Sequence, residues 1–372
     1  EFTKLVRLKE LASPEFPVDE KDANQAVLCL DKEFKIEKNN GIVNIFVPIM
    51  SNTAFIGHNL DIAAALLKKG EAVAIPTETV YGLAANALNI KAVAKIFQIK
   101  QRPTFDPLII HLSTFEQVKD YVEEIPEVFQ LLANKFAPGP ITFLLKKKNV
   151  IPDLVTAGSE YVAVRIPSHP NTRALLEKID FPLAAPSANP FGYISPTTAQ
   201  HVADQLGNKV YYILDGGPCD VGLESTILGM NDKGEVEVLR KGGLSIESIT
   251  AEIGNVVVRD VSTSNPEAPG MLTNHYAPKV PLILGDIRSL AAQSDHQRTG
   301  IIAFNQFLPN IPQKHQIVLS PSSNFADAAF HLFAGMRYLD SCDLDVIYAE
   351  LVPERDLGIA INDRLRRAAH SA

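Results

Sequence analysis

Apolar positions recur along this chain in two rhythms, and the change from one to the other marks out its elements. Residues 60–69 repeat apolar side chains at helical spacing and are closed by Gly70, a residue favoured just past a helix end. Residues 71–75 form a short apolar run of strand type, which Pro76 stops by removing a backbone donor. Residues 90–100 set Val93, Ile96 and Phe97 on one face of a second helix, which Pro103 is expected to end. Residues 108–112, 141–146, 162–166, 181–185 and 210–214 read as further strands. Over residues 52–258 helix and strand signals thus mix, with no regular βα repeat.

A stretch rich in turn and breaker residues follows, Val261-Ser-Thr-Ser-Asn-Pro-Glu-Ala-Pro-Gly-Met271, and reads as an interdomain linker over 259–279. Beyond it, strand runs at 281–285, 300–304, 316–319 and 345–350 intersperse with helical runs at 325–339 and 359–369. That order predicts a small parallel, Rossmann-like α/β domain over 280–372. No catalytic constellation is legible in it. Residues 1–51 carry short apolar pieces between charged stretches of both signs. They read as an N-terminal extension with no assigned role, Met50 being a candidate start. Their acidic content argues against a mitochondrial presequence.

Composition sets limits. The 372 residues are 46% hydrophobic and 21% charged, ordinary for a globular chain with room for two cores. A net charge of −8 argues against general adhesion to nucleic acid. The three cysteines, Cys29, Cys219 and Cys342, are far apart and form no CxxC. This disfavours a disulfide scaffold or zinc site and fits a cytoplasmic location. No apolar run reaches the length of about 18 residues that a membrane span needs. Neither a P-loop nor a GxGxxG pattern occurs, so a nucleotide would be held some other way.

The most informative segment is Ala74-Ile-Pro-Thr-Glu-Thr-Val-Tyr-Gly-Leu83, where a buried strand surfaces into polar residues. Thr77 and Thr79 offer hydroxyls, Glu78 a charge and Tyr81 a flat wall with a polar tip. Gly82 permits close backbone approach. The segment reads either as a ligand-holding loop or as an ordinary strand-to-helix turn. Downstream come Lys100-Gln-Arg102-Pro, Asp106-Pro-Leu-Ile-Ile-His111, Pro138-Gly-Pro-Ile-Thr142 and Val162-Ala-Val-Arg165-Ile-Pro. Then follow Ala185-Pro-Ser187-Ala-Asn189, Ser195-Pro-Thr, Gly222-Leu-Glu-Ser225-Thr-Ile, Leu239-Arg240 and His275-Tyr-Ala-Pro. In this order, over about residues 52–372, the series resembles the YrdC-like threonylcarbamoyl-AMP synthases in their long, two-domain form.

The resemblance implies a twisted mixed sheet with a concave active-site face, and an enzyme of the nucleotidyltransferase class. It would join L-threonine, bicarbonate and ATP into threonylcarbamoyl-adenylate and pyrophosphate, with Mg²⁺ held mainly by the ATP phosphates. The product would pass to downstream tRNA threonylcarbamoyl-transfer proteins for the N6-threonylcarbamoyl mark on adenosine 37. Lys100 and Arg102 match the family's phosphate contacts, whereas cations at a helix end also serve the helix dipole. Thr79, His111, Arg165, the backbone at Ala185 and Ser225 correspond to threonine contacts. Arg165 inside an apolar strand independently calls for an anion, either a ligand carboxylate or an internal salt bridge. His111 is expected to be neutral and to hydrogen-bond rather than act as a base.

On the nucleotide side the resemblance points to Arg102, Asp106, Tyr161, Ser187, Ser195, Arg240 and His275. The Ser187-Ala-Asn189 turn suits a phosphate, although ordinary turn chemistry also explains it. By charge, Asp106 fits ribose or Mg²⁺ better than phosphate. No residue presents itself as a nucleophile. The resemblance places His275 near the nucleotide, and the linker that ends in it is expected to fold over the occupied site as a lid. Two alternatives stand beside this reading. The carbamoyl-transfer domain of hydrogenase-maturation proteins is opposed by the missing CxxC pairs and acylphosphatase segment. A double-stranded-RNA-binding or ribosome-assembly protein of the same fold is opposed by the acidic balance, while a direct RNA contact stays open.

Overall fold

A computed structural model describes residues 54–259 and 275–369, together with the backbone of strands Lys4–Arg7, Lys35–Asn39 and Ile42–Val47. Those three strands form an antiparallel sheet with Ile42–Val47 in the centre. The linker segment expected to act as a lid lies mostly outside the described residues, which resume at His275.

The larger body is built on eleven strands. From one edge they run Val257–Val258, Val236–Arg240, Thr226–Met230, Ile141–Lys146, Tyr161–Arg165 and Ile109–His111. Leu183–Ala184, Gly82–Asn86, Val73–Ile75, Tyr212–Leu214 and Phe55–Gly57 complete the order. Parallel and antiparallel pairings alternate irregularly, as the mixed sequence pattern predicts. Ile110, Phe143, Leu145, Val162 and Val164 turn one face of the sheet into the main core. Period-two alternation then sends Ile109, His111, Thr142, Leu144, Ala163 and Arg165 to the opposite face. Register places Arg165 directly between Thr142 and His111. A cation, a hydroxyl and an imidazole thus share one row.

Helix Ile90–Lys100 forms where its apolar spacing predicts, with the Asn89 side chain accepting from the Lys91 and Ala92 amides. Its end differs from expectation. Gln101 takes the left-handed conformation at φ 54°, and the Arg102 N–H donates to Phe97 O at 3.0 Å. The helix therefore stops at a left-handed cap before Pro103 is reached. That reversal turns Lys100 and Arg102 inward, so neither is an exposed cation serving a helix dipole.

The second body is a four-stranded parallel sheet in the order Leu282–Leu284, Val346–Ala349, Thr299–Ala303, Gln316–Val318. Helices Phe325–Asp340 and Gly358–Ala369 pack against it. Its core does not close on itself. Val80, Ile194, Leu223 and Tyr276 join Phe333, Met336, Ile361 and Leu365 in one apolar cluster. Arg337 strengthens that seam by donating to Ser195 O, to Ile194 O and to Gln205 Oε1. Among the described residues no helix is long and apolar enough to cross a membrane.

Candidate active site

A narrow cavity of about 40 Å³ opens on the row containing Arg165 and His111. Its walls include Val80, Arg102, Ile109, Ala185, Pro186, Ser187, Glu224, Arg240, His275 and Tyr276 as well. The volume suits a few waters, and because the cavity is open to solvent a larger ligand would extend beyond it. Arg102, His111, Arg165, Ala185, Ser187, Arg240 and His275 are thus brought together, although they come from distant parts of the chain.

A second group of expected residues stands just behind the wall and braces it. The Lys100 ammonium is buried and donates to Ser187 O and Asn189 O at 2.5 Å each. It supports the turn from beneath and does not line the cavity. Burial and the Arg102 charge lower its pKa well below the usual lysine range. Thr79 is buried, with its hydroxyl 2.8 Å from that of Thr77. Ser225 Oγ lies 2.7 Å from Thr142 Oγ1 and accepts from Arg240 Nη2 at 3.1 Å. Ser195 Oγ donates to Glu224 Oε1 at 2.5 Å. Asp106 Oδ2 lies 2.8 Å from Arg102 Nη2, a charge contact outside hydrogen-bond geometry that leaves both carboxylate oxygens without a hydrogen bond. Burial raises the Asp106 pKa, against the pull of Arg102 and Lys100.

Tyr161 does not belong to this group. It opens the strand that Arg165 closes, is 47% exposed and pairs with Lys146. Four residues of strand separate the two by roughly 13 Å, which keeps Tyr161 out of the cavity. Much of the segment 74–83 is turned to internal contacts. Tyr81 is buried and its hydroxyl donates to Gly217 O at 2.8 Å, so its polar tip serves an internal turn. What Gly82 approaches is the chain itself, for an added Cβ would lie 3.3 Å from the Ala185 side chain. From this motif, Val80 lines the cavity and Glu78 reaches Arg165.

The electrostatics are those of an anion site with uncharged histidines. Burial, with Arg165 beside it, pushes His111 down to about 3. Burial together with Arg102 and Lys100 takes His275 well below its usual range. Both imidazoles are therefore neutral near pH 7, and each leaves Nδ1 without a hydrogen-bond partner among the described residues. Burial brings Arg240 down to about 10, still charged at neutral pH. Arg165 gives Nη2 to Glu78 at 2.7 Å, whereas its buried Nε has no acceptor. Burial also pushes the Cys219 thiol up, which removes it as a nucleophile.

Sequence reasoning did not single out Glu224, Tyr276 or the residues that the second body supplies. Arg364, fully buried in helix Gly358–Ala369, donates from Nε to Glu224 Oε2 at 3.0 Å. Its guanidinium also lies 5.1 Å from the Tyr276 ring centroid. The available signal was Asp363-Arg364 and Arg367 set among Ile361, Leu365 and Ala368. Charges at helical spacing within an apolar stripe call for buried partners.

Comparisons with known proteins bear on the chain as a whole. A family model described as "Telomere recombination" matches residues 65–242, and one described as "Threonylcarbamoyl-AMP synthase, C-terminal domain" matches residues 244–370. A threonylcarbamoyl-AMP synthase of Pyrococcus abyssi is 39% identical over 323 residues, covering 83% of this chain and 93% of that protein. One from Bacillus subtilis is 40% identical, covering 82% and 92%. A crystal structure of P. abyssi Sua5 complexed with L-threonine superposes with a TM-score of 0.79 at 37% identity, covering 86% of this chain and 97% of that one. A protein of the same name from Vibrio vulnificus matches only 50% of this chain, yet 98% of its own length.

Proposed function

The chain belongs to the threonylcarbamoyl-AMP synthase family, and from that membership we propose that it makes threonylcarbamoyl-adenylate and pyrophosphate from L-threonine, bicarbonate and ATP. The observation that carries this reading is the convergence of Arg102, Arg165 and Arg240 on one narrow cavity beside two neutral histidines. Such a site favours anions and offers no nucleophile, so it suits chemistry that proceeds by placement and charge stabilisation. The reaction is that of a nucleotidyltransferase acting in the cytoplasm. Its product serves the N6-threonylcarbamoyl mark on adenosine 37 of tRNA through downstream transfer proteins.

In this reading the Arg165 Nε, which lacks an internal acceptor, takes the threonine carboxylate. Neutral His111 hydrogen-bonds without adding charge. The threonine amine combines with bicarbonate to give a carbamate and water. A carbamate oxygen then attacks the α-phosphorus, and the bond to the bridging oxygen breaks, so pyrophosphate leaves with the electron pair. Arg102, Arg240 and the Ser187 turn hold phosphate oxygens, with Lys100 fixing the turn from below.

Mg²⁺ would arrive on the nucleotide. Among the described residues no three His, Cys, Asp or Glu side chains gather as a metal site. Asp106, a lone carboxylate facing Arg102, is a poor match for an ion that prefers several oxygens. The basic groups lie inside a cavity, where a nucleic-acid duplex has no access to them. The deciding experiment measures pyrophosphate released from ATP. Release should require both threonine and bicarbonate, and should need no RNA. Release that ignores threonine would overturn the proposal.

A further inference from the structure

Glu224 is an anomaly in the wall of an anion site. It lines the same cavity as Arg102, Arg165 and Arg240, and it is buried. A bare carboxylate there would repel a nucleotide triphosphate, which carries several negative charges. Threonine, a zwitterion of zero net charge, would feel that field far less. The carboxylate is not bare. Oε1 accepts from Ser195 Oγ at 2.5 Å and Oε2 from Arg364 Nε at 3.0 Å. Ser195 and Glu224 belong to the first body, whereas Arg364 comes from the last helix of the second, 140 residues further along the chain.

Arg364 is itself held in place. Asp363 Oδ2 accepts from its Nη1 at 2.7 Å, and Asp363 also accepts from Arg367 Nε at 3.2 Å. The Tyr276 ring lies against its guanidinium and stacks in turn on Phe333 at 5.4 Å. Arg364 and Arg367 thus link Asp363 to Glu224, the member of the group that lines the cavity. Burial alone would raise the Glu224 pKa, but Arg364 and Arg240 outweigh it and keep the group ionised.

We propose that Arg364 is a positioning residue for the nucleotide. By pairing with Glu224 it keeps that carboxylate from opposing the polyanionic substrate, while Glu224 keeps its hold on Ser195. The second body thereby completes the electrostatics of a cavity whose other charged walls come from the first body and the linker end. The shorter Vibrio vulnificus protein, matched over only half of this chain, shows that a family member exists without this half. Arg364 is accordingly assigned an action through Glu224, not contact with the reacting atoms. The inference rests on the proposed reaction. Failure of that reaction in the unaltered protein would overturn the reaction itself. Failure of the pattern below, in an active protein, overturns only the role of Arg364.

The test compares Arg364→Met, Glu224→Gln and the double variant with the unaltered chain. Arg364→Met should raise KM for ATP tenfold or more and change KM for threonine less than twofold. Adding Glu224→Gln should recover most of the loss, because no charge then remains to be neutralised. Asp363 keeps Arg367 as partner in every variant, which favours folding. Should Arg364→Met fail to fold, the double variant and Glu224→Gln alone still decide the matter. They should bind a non-hydrolysable ATP analogue with equal affinity by calorimetry. Equal loss toward both substrates, absence of rescue, or weaker binding by the double variant than by Glu224→Gln would each overturn the proposal.

Discussion

Arg165 and Glu78, 87 residues apart in sequence, form a buried ion pair with Nη2 2.7 Å from Oε1. Glu78 also accepts the Ser168 amide at 3.1 Å through its other oxygen. Both carboxylate oxygens are therefore engaged, and Glu78 anchors the guanidinium at the cavity wall. The strand cation has the internal partner that burial requires, and it still has Nε to offer a ligand.

Arg165→Ala should raise KM for threonine far more than KM for ATP, at a cost of about 2–5 kcal/mol in kcat/KM. Glu78→Gln should produce the same selectivity in milder form, because the guanidinium remains but loses its anchor. Steady-state kinetics with each substrate varied in turn checks both outcomes. An Arg165→Ala protein that folds and keeps its threonine dependence would remove the assignment.

Lys100 and Arg102 should affect stability as well as turnover, since both are buried. Lys100→Met leaves the Ser187 and Asn189 carbonyls without their donor, at about 1–3 kcal/mol for each group stranded. Arg102→Lys keeps the charge but loses a fork that bonds Asp106 O at 3.1 Å and Pro107 O at 2.8 Å. Urea melts beside pyrophosphate-release assays should show a lower midpoint for the first variant and much reduced activity for both. A surface cap would lose less than about 1 kcal/mol and keep its turnover.

Acid should destabilise the protein through His111. Its folded pKa, about 3, lies below the ordinary 6.5 because of burial and Arg165, so between those values the unfolded chain binds the extra proton. Stability from this group is complete above about pH 7 and falls as pH drops from 6.5 toward 3. At pH 5 the loss is about 2 kcal/mol. Chemical denaturation at pH 7.5 and pH 5 should show His111→Gln losing that much less on acidification than the unaltered chain. Equal losses would mean the imidazole titrates alike in both states.

Chelation separates a nucleotide-borne metal from a protein-borne one. EDTA in excess should stop pyrophosphate release, and added Mg²⁺ should restore it. Without nucleotide, the same treatment should leave the melting temperature unchanged, as expected if ATP phosphates carry the ion. A lower melting temperature in EDTA alone would point to an ion held by the chain itself.

Much of this protein was determined locally. Helix Ile90–Lys100 and strand Ile141–Lys146 follow from apolar periodicity, which acts over a few residues, and the parallel character of the second sheet follows from the succession of strand and helix runs. The Lys-x-Arg and Ser-x-Asn residues were equally legible as chemistry, and the structure brings them to one place. Their division of labour was not. Whether Lys100 faces the cavity or braces it depends on the left-handed cap at Gln101 and on the turn it meets across 87 to 89 residues of chain. Tyr81 has the composition of a ligand wall, but the neighbouring turn captures its hydroxyl. The Glu224–Arg364 pair joins two bodies whose sequences share no pattern. Pairing of buried charges is settled by which surfaces dock, and no local property of either residue encodes that choice.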